Sequence, residues 1–422
     1  MEQEKMAKFN RIFPWYAGLS DDLLFWAAID TLFLTVVKDF NASQIVSLTT
    51  VSLITCIVLQ VPLSKIIKKI GNTNSVRLGS MLLLVSSILL TFGKNYIDIV
   101  LGKVIYEIAF TFQNMVNAVL KNNLELQNRN NEYIKVKTKA NTIYATATMI
   151  ISFIASLMFN LNNYLPMLGC ITFCLICFIL SFYIVDYSKY NKIKEESQMK
   201  SKTKIKYNKL IIVLIISYGI FYPIVNSGQS NGKLFIQQEL LTKFDVEKTT
   251  LIIGAILCIS RIVRVVSNIA FNKIHNKYKE KVGVILPILL SISIILMILG
   301  SFVQGYVTIK FSIMGLGYII ILFIRDPFKV YMQDLALRSI GKEGQQSLLT
   351  TMELARKIER AIMSLSFTMI LINNPMIAVM SILLILSIIE ILVSIKLYKL
   401  VINGEKEESD NNNCEQTLLK DL

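Results

Sequence analysis

Asp186 to Lys209 read DYSKYNKIKEESQMKSKTKIKYNK, with eight lysines, three acids and no long apolar run. This is the longest polar block between hydrophobic segments, and six segments long enough to cross a bilayer lie on each side of it. The block therefore reads as a connection between two halves of a membrane protein. Composition points the same way. The 422-residue chain is 54% hydrophobic and 17% charged, with mean hydropathy +0.55, whereas soluble domains are about a quarter charged. A large soluble α/β enzyme this apolar would have no polar surface to present. Repeated uncharged runs of about 20 residues mark spanning helices, and a barrel would show segments of about ten alternating residues instead.

The expected fold class is an all-α membrane protein of twelve transmembrane helices in two six-helix halves. The spans are placed at 16–38, 43–64, 76–94, 96–120, 138–159 and 164–185, then 209–231, 249–271, 282–303, 307–331, 348–372 and 376–396. The domain division that follows is an N-terminal cytoplasmic segment 1–15, a six-helix bundle 16–185, a basic cytoplasmic linker 186–208, a second bundle 209–400 and a disordered tail 401–422. Helices suit the bilayer because each satisfies its own backbone hydrogen bonds.

The formal charge of +15 invites a nucleic-acid partner, but its distribution excludes one. With residues at the span ends counted to the connections they adjoin, thirty of the 44 basic residues fall at one set of alternating connections and termini, and six (Lys38, Lys94, Lys233, Lys243, Lys248 and Lys310) at the other. Cytoplasmic loops are the lysine-rich ones, so both termini are expected inside a cell membrane crossed many times. The N-terminus, MEQEKMAKFNRIFPWY, lacks the compact apolar core of a cleavable signal.

Metal and cofactor chemistry finds no support. Cys56, Cys170, Cys174, Cys177 and Cys258 fall in predicted spans, Cys414 in the tail, and His275 is the only histidine. Cys170, Cys174 and Cys177 share a helix face, but no histidine or carboxylate nearby completes a tetrahedral shell. They read as small buried hydrophobes. An enzyme should show a nucleophile with a base, zinc spacing or clustered carboxylates, and Asp21-Asp22 alone is too little. The chain reads as a non-enzyme without a cofactor.

The halves look like a repeat. Lys65-Ile-Ile-Lys68-Lys69-Ile-Gly71 follows the second span, and Asn272-Lys-Ile-His275-Asn-Lys277-Tyr278 follows the eighth. Each half has a longer polar connection after its fourth span. Two such halves suggest parallel repeats about an axis along the membrane normal. With this arrangement the chain resembles the major facilitator superfamily over about residues 13 to 400. The family's turn after span two is glycine–aspartate–basic–glycine–basic. Gly71 fits its second glycine and Lys69 its basic position, while Lys68 stands at the aspartate and Ser64 at the first glycine. Lys103 fits the family's arginine in span four, and segment five lacks the Gly-Pro-x-x-Gly-Gly of many drug–proton antiporters.

The resemblance implies that spans 1, 4, 7 and 10 line a central cavity. All four carry polar groups, and a charge at membrane depth costs at least about 2.5–3.5 kcal/mol. Asp30 lies about 21 Å into span 1 at 1.5 Å per residue, a candidate protonatable site, with Asp22 nearer the cytoplasmic end. Lys103 and Glu107 are spaced to meet on one helix face, either as a self-neutralising pair or as a proton-coupling device. In span 7, Asn226, Gln229 and Asn231 lie in an Asn-Ser-Gly-Gln-Ser-Asn-Gly run expected to interrupt the helix, as a similar break does in sugar-transporting members. Span 10 offers Arg325, Asp326 and Pro327, and span 8 offers Arg261 and Arg264 as secondary candidates. Glu353, Arg356 and Lys357 share one face at the start of span 11. Packing of the span-two turn near span 11, implied by the family, would set Lys68, Lys69 and Gly71 against them as a cytoplasmic gate of reversed charge.

These residues predict a secondary active transporter of a small molecule, working by alternating access and coupled to a proton. The expected partners are that substrate, the proton and the lipid bilayer, and the protein is expected to act as a monomer. No Gly-x-x-x-x-Gly-Lys-Ser/Thr loop is present to bind ATP. Multidrug efflux and import of a polar or anionic solute are both open at this point. A non-transporting sensor or lipid enzyme is the reading from another class.

Overall fold

A computed structural model describes residues 2–129, 132–187, 208–340 and 345–418. Most of the opening polar block, 188–207, lies outside the described residues, so its role as a linker rests on the sequence. Among the described residues there is no strand. The described residues form fourteen α-helices. Nine helical stretches among the described residues are long and apolar enough to cross a membrane, and Leu165–Ser181 is apolar but shorter. Large apolar side chains such as Val61, Ile97, Ile269 and Leu392 stand exposed on them, as a lipid-facing surface requires.

Span 1 differs most from expectation. Helix α1 covers Glu2–Leu19, α2 covers Leu24–Leu32, and a π-turn follows at Phe33–Val37. The helix thus begins well before residue 16 and breaks at Ser20–Leu23. The break has a local cause. The Asp22 carboxylate takes the N–H of Leu23 at 2.7 Å, and short acidic side chains compete in this way with helical backbone bonds.

Helix α3, Ala42–Ile70, starts on a capping box in which Asn41 and Gln44 exchange bonds, satisfying two orphan N–H groups. It ends with Lys68 and Lys69 in its last turn and Gly71 at φ +81°. The lysines stabilise the carbonyl end, and glycine tolerates the positive φ. After α4, Asn72–Phe92, the Lys38 ammonium donates to the carbonyls of Thr91 and Gly93, each at 2.8 Å, and so caps the helix end. Span 4 is divided into α5, Tyr96–Gln113, and α6, Val116–Leu126. Next come α7, Tyr133–Leu161, and α8, Leu165–Ser181.

Helix α9 runs unbroken from Lys209 to Leu241, which corrects the expected interruption. The Asn226–Gly232 run is not a loop, because it is buried against protein. Asn226, Ser227 and Asn231 are all buried. A Cβ at Gly228 would meet Ile321, and one at Gly232 would come within 2.6 Å of Met297. The glycines therefore let neighbouring helices approach an intact α9, as small residues do in membrane packing. Two more predicted boundaries move. Helix α10, Val246–Tyr278, continues through the basic stretch expected as a loop. Helix α14, Met376–Leu418, continues through most of the stretch read as a disordered tail. Extending an existing helix costs far less than nucleating one. The remaining helices are α11, Val282–Phe302, α12, Val307–Arg338, and α13, Gln345–Asn373.

The chain forms two compact units. One comprises 1–200 with 237–261 and 364–373, and the other 201–236, 262–363 and 374–422. Compactness thus departs from the sequence halves at the lysine-poor ends of α9, α10 and α13. Inside the first unit those ends are tied to N-terminal helices by small polar contacts. Ser43 Oγ donates to the Thr368 carbonyl at 3.0 Å, and the Thr50 hydroxyl lies 2.9 Å from that of Ser364. Asn160 donates to the Glu247 carbonyl at 3.1 Å, and Gln237 to that of Thr31 at 3.3 Å. Gly254 lies directly on Ser156. In the second unit, α11 and α12 close on each other at Gly317, where a Cβ would be 2.5 Å from the Ser293 carbonyl. The corresponding pair in the first half, α4 and α5, closes at Gly79 against Gln113. A glycine permits each close approach, on the second helix of the pair in one case and on the first in the other.

Candidate functional site

In the first unit the polar residues gather around the break in span 1. Tyr106 of α5 donates to Asp22 Oδ1 at 2.7 Å, so one carboxylate oxygen serves both that hydroxyl and the Leu23 amide. One turn earlier on α5, the Lys103 ammonium lies 4.3 Å from the centre of the Tyr106 ring and 5.9 Å from that of Trp26. Aromatic faces attract a cation in this way without neutralising it. Glu107, the predicted partner of Lys103, is half-buried on the same helix. Asp30 is half-buried and takes the Thr31 N–H at 2.7 Å.

Beside this group lies a network that the site prediction did not contain. Gln113 Nε2 donates to Tyr16 Oη at 2.6 Å and to Ser20 Oγ at 2.8 Å, while the Tyr16 and Ser80 hydroxyls are 2.7 Å apart. Gln113 belongs with Asn114 and Asn117 to a run of amides in span 4. Its partners on α1 and α4 carry no sequence signal, since single serines and tyrosines are common in apolar helices. The network holds α1, α4 and α5 in register where α1 ends.

The second unit holds two arginine arrangements. Arg264 of α10 grips Asp326 of α12 with both ends of its fork, Nε to Oδ2 at 2.6 Å and Nη2 to Oδ1 at 3.1 Å. Asn268 adds a third bond to Oδ2 at 3.1 Å. Asp326 is therefore saturated by protein, a bidentate pair of the strong kind. Its neighbour Arg325 is different. Nη1 donates to Gln229 Oε1 of α9 at 2.8 Å, while Nε is buried with no hydrogen-bond partner. Asn226, one turn from Gln229 on α9, also buries an amide nitrogen without a partner. Asn231 is buried on the same helix, and Arg261 has a buried, unpartnered Nε in the first unit. Unpaired buried donors cost about 1–3 kcal/mol each, and Arg325 and Asn226 each hold one beside Gln229.

The predicted gate residues separate by unit. Lys68, Lys69 and Gly71 form the end of α3. Glu353 of α13 is engaged within its own unit. Tyr218 donates to Glu353 Oε1 at 2.6 Å, and Arg356 Nη2 lies 2.6 Å from Oε2. Arg356 also stands over the Tyr222 ring, which stacks on Tyr218. Lys357 follows on the same helix, half-buried. Among the described residues no group of three histidine, cysteine or carboxylate side chains could hold a metal ion.

Residues 19–356 match the sequence profile of the Major Facilitator Superfamily. The chain belongs to that superfamily. No curated protein matches the chain in sequence. Several solved structures share its fold. A bacterial homologue of the iron transporter ferroportin, in an inward-facing state, superposes with TM-score 0.68 at 13% identity over 94% of this chain and 99% of that one. The nucleoside transporter NupG gives TM-score 0.67 at 11% identity over 93% and 98%. A D-xylose-proton symporter gives TM-score 0.66 at 13% identity over 93% and 96%. At such identities the likeness bears on the fold.

As a facilitator-superfamily member the protein is a multi-pass membrane transporter of small molecules. Within that family its departures become informative. The span-two turn keeps its glycine at positive φ although Lys68 replaces the acid. The span-four cation is a lysine set on aromatic rings.

Proposed function

We propose that the protein is a proton-coupled secondary transporter of a small polar solute bearing negative charge, working as a monomer in the cell membrane with both termini cytoplasmic. Alternating access comes from rocking of the two six-helix halves. The observation that carries the reading is Arg325: a guanidinium held by one bond to Gln229, with its Nε buried and unpartnered. A guanidinium fork matches a carboxylate or phosphate, and the spare Asn226 amide beside Gln229 supplies a further donor. Asp30 and Glu107 are the proton-carrying candidates, with Lys103 as the cation that favours the ionised form of a nearby carboxylate. Multidrug efflux is the weaker alternative, since the chain lacks Gly-Pro-x-x-Gly-Gly in span five.

The test is a thermal-shift screen of the purified protein against metabolite anions, neutral solutes and drugs at two pH values. Binding stabilises by mass action, and a pH-dependent shift reports linkage to protons. Anionic hits that Arg325→Gln abolishes support the reading. Stabilisation by apolar drugs alone would overturn it. In proteoliposomes Asp30→Asn and Glu107→Gln should alter the pH dependence of uptake, and unaltered dependence in both would remove these residues from the coupling.

A further inference from the structure

Glu390 was in no expected site. It lies in α14, about 21 Å from Met376 at 1.5 Å per residue, and is fully buried. Two serine hydroxyls donate to the same carboxyl oxygen, Oε1: Ser217 of α9 at 2.6 Å and Ser394, one turn along α14, at 2.8 Å. The other oxygen, Oε2, is buried and has no hydrogen-bond partner. The charged groups around it can be named helix by helix. On α13, Glu359 is the neighbour that acts electrostatically on Glu390, and it lies against α9 at Gly219, where a Cβ would be 2.7 Å from its Oε1. Also on α13, Arg356 is paired with Glu353. Lys357 and Arg360 follow on the same helix. On α9, Tyr218 donates to Glu353. Helix α11, which packs along α14, has no titratable side chain over Val282–Phe302. It meets α14 one turn from Glu390 through the Ser291–Ser387 hydrogen bond at 2.9 Å. The 279–281 turn also packs on α14, with Glu280 taken by Arg338 and Tyr331. Lys396 and Lys399 lie further along α14 itself.

We infer that Glu390 is a proton-binding site, with the proton on Oε2. A bare carboxylate at membrane depth, with an acidic neighbour and only neutral hydroxyls as its hydrogen-bond donors, carries a prohibitive desolvation cost. The geometry also assigns the proton. Oε1 accepts twice, as the carbonyl oxygen of a neutral acid does, and Oε2 is the oxygen left to carry hydrogen. Ser217 comes from α9, the helix that also supplies Asn226 and Gln229. Movement of α9 away from α14 would remove one of the two donors and open Oε2 to water, so the proton would leave when the substrate-bearing helix moves. The position of the proton stands without the proposed function, and only its role in transport rests on that reading.

The full-length protein in lipid nanodiscs, without substrate, is titrated with acid and base while infrared difference spectra are recorded. Wild type should show a carboxylic-acid carbonyl band that is lost at high pH. Glu390→Gln should lack this band and Glu359→Gln should keep it. Should Glu390→Gln fail to fold, Glu390→Asp replaces it and should displace the band in frequency. A Glu390→Gln spectrum identical to wild type would overturn the assignment. Loss of the wild-type band on adding sodium at constant pH would overturn it in favour of a sodium site. Because neither measurement involves transport, uptake that proves independent of pH would refute proton coupling and leave this result standing.

Discussion

Separating Arg264 from Asp326 is the sharpest test of how the second unit is held together. The closest contact is 2.6 Å, and the two side chains are 25% and 18% exposed. With an effective dielectric constant of about 20, the attraction at that distance is about 6 kcal/mol before desolvation. Desolvation offsets much of it, and losing one partner of a buried pair costs about 3–5 kcal/mol, because a charge is left without compensation. Asp326→Ala leaves Arg264 unpaired beside Arg325, so a loss of about 3 kcal/mol is expected, at the low end because the pair is partly exposed. Arg264→Ala should cost less, about 2 kcal/mol, since Asp326 keeps its bond from Asn268. The double change Arg264→Met with Asp326→Leu removes both charges and should be within about 1 kcal/mol of wild type. The assay is unfolding in mixed micelles of a mild and a denaturing detergent, followed by far-ultraviolet circular dichroism. Tryptophan fluorescence would not serve, because Trp15 and Trp26 both lie in the first unit. If the double variant loses as much as the two single variants together, the pair is not a coupled one and the reasoning is wrong.

Gly254→Val should destabilise by about 1–3 kcal/mol through overpacking against Ser156. It should also raise the reactivity of Cys258, one turn along α10, towards a membrane-permeant maleimide, and unchanged labelling would count against close α7–α10 packing. Asn41→Ala removes the capping box of α3 and should cost about 0.5–2 kcal/mol, read as a lower unfolding midpoint, while Asn41→Asp should retain most of the stability. Epitope tags at the two termini should be protected from protease in intact cells and cleaved after permeabilisation. Cleavage in intact cells would reverse the orientation drawn from the lysine count.

Much of this architecture was legible in the sequence because membranes impose a simple rule. Every backbone group must pair inside its own segment, so long apolar runs could only be helices, and the lysines between them give an expected orientation without any tertiary contact. The turn at Gly71 could be read in the same way. Arg325, Gln229 and Asn226 stood out because polar groups are rare and costly in such runs. Glu390 is costly too, but it lies in a long apolar stretch outside the spans expected to line the cavity, with no neighbouring motif. Only folding shows that a serine 173 residues away in the chain meets its carboxyl group.

Local pattern misled where neighbours decide the outcome. The Asn226–Gly232 run has the composition of a loop, yet it stays helical because Met297, Tyr318 and Ile321 close on its glycines. Span 1 looked continuous and is broken, since Asp22 bonds to backbone and to Tyr106 at once. The sequence alone determined that the long apolar segments are helices and on which side the charges are expected, because solvent and bilayer select these residue by residue. The tertiary structure alone decided which polar groups are satisfied and which are left poised. Asp326 is saturated while Arg325 beside it keeps a spare donor, and that difference depends on which side chains of distant helices come within hydrogen-bonding reach.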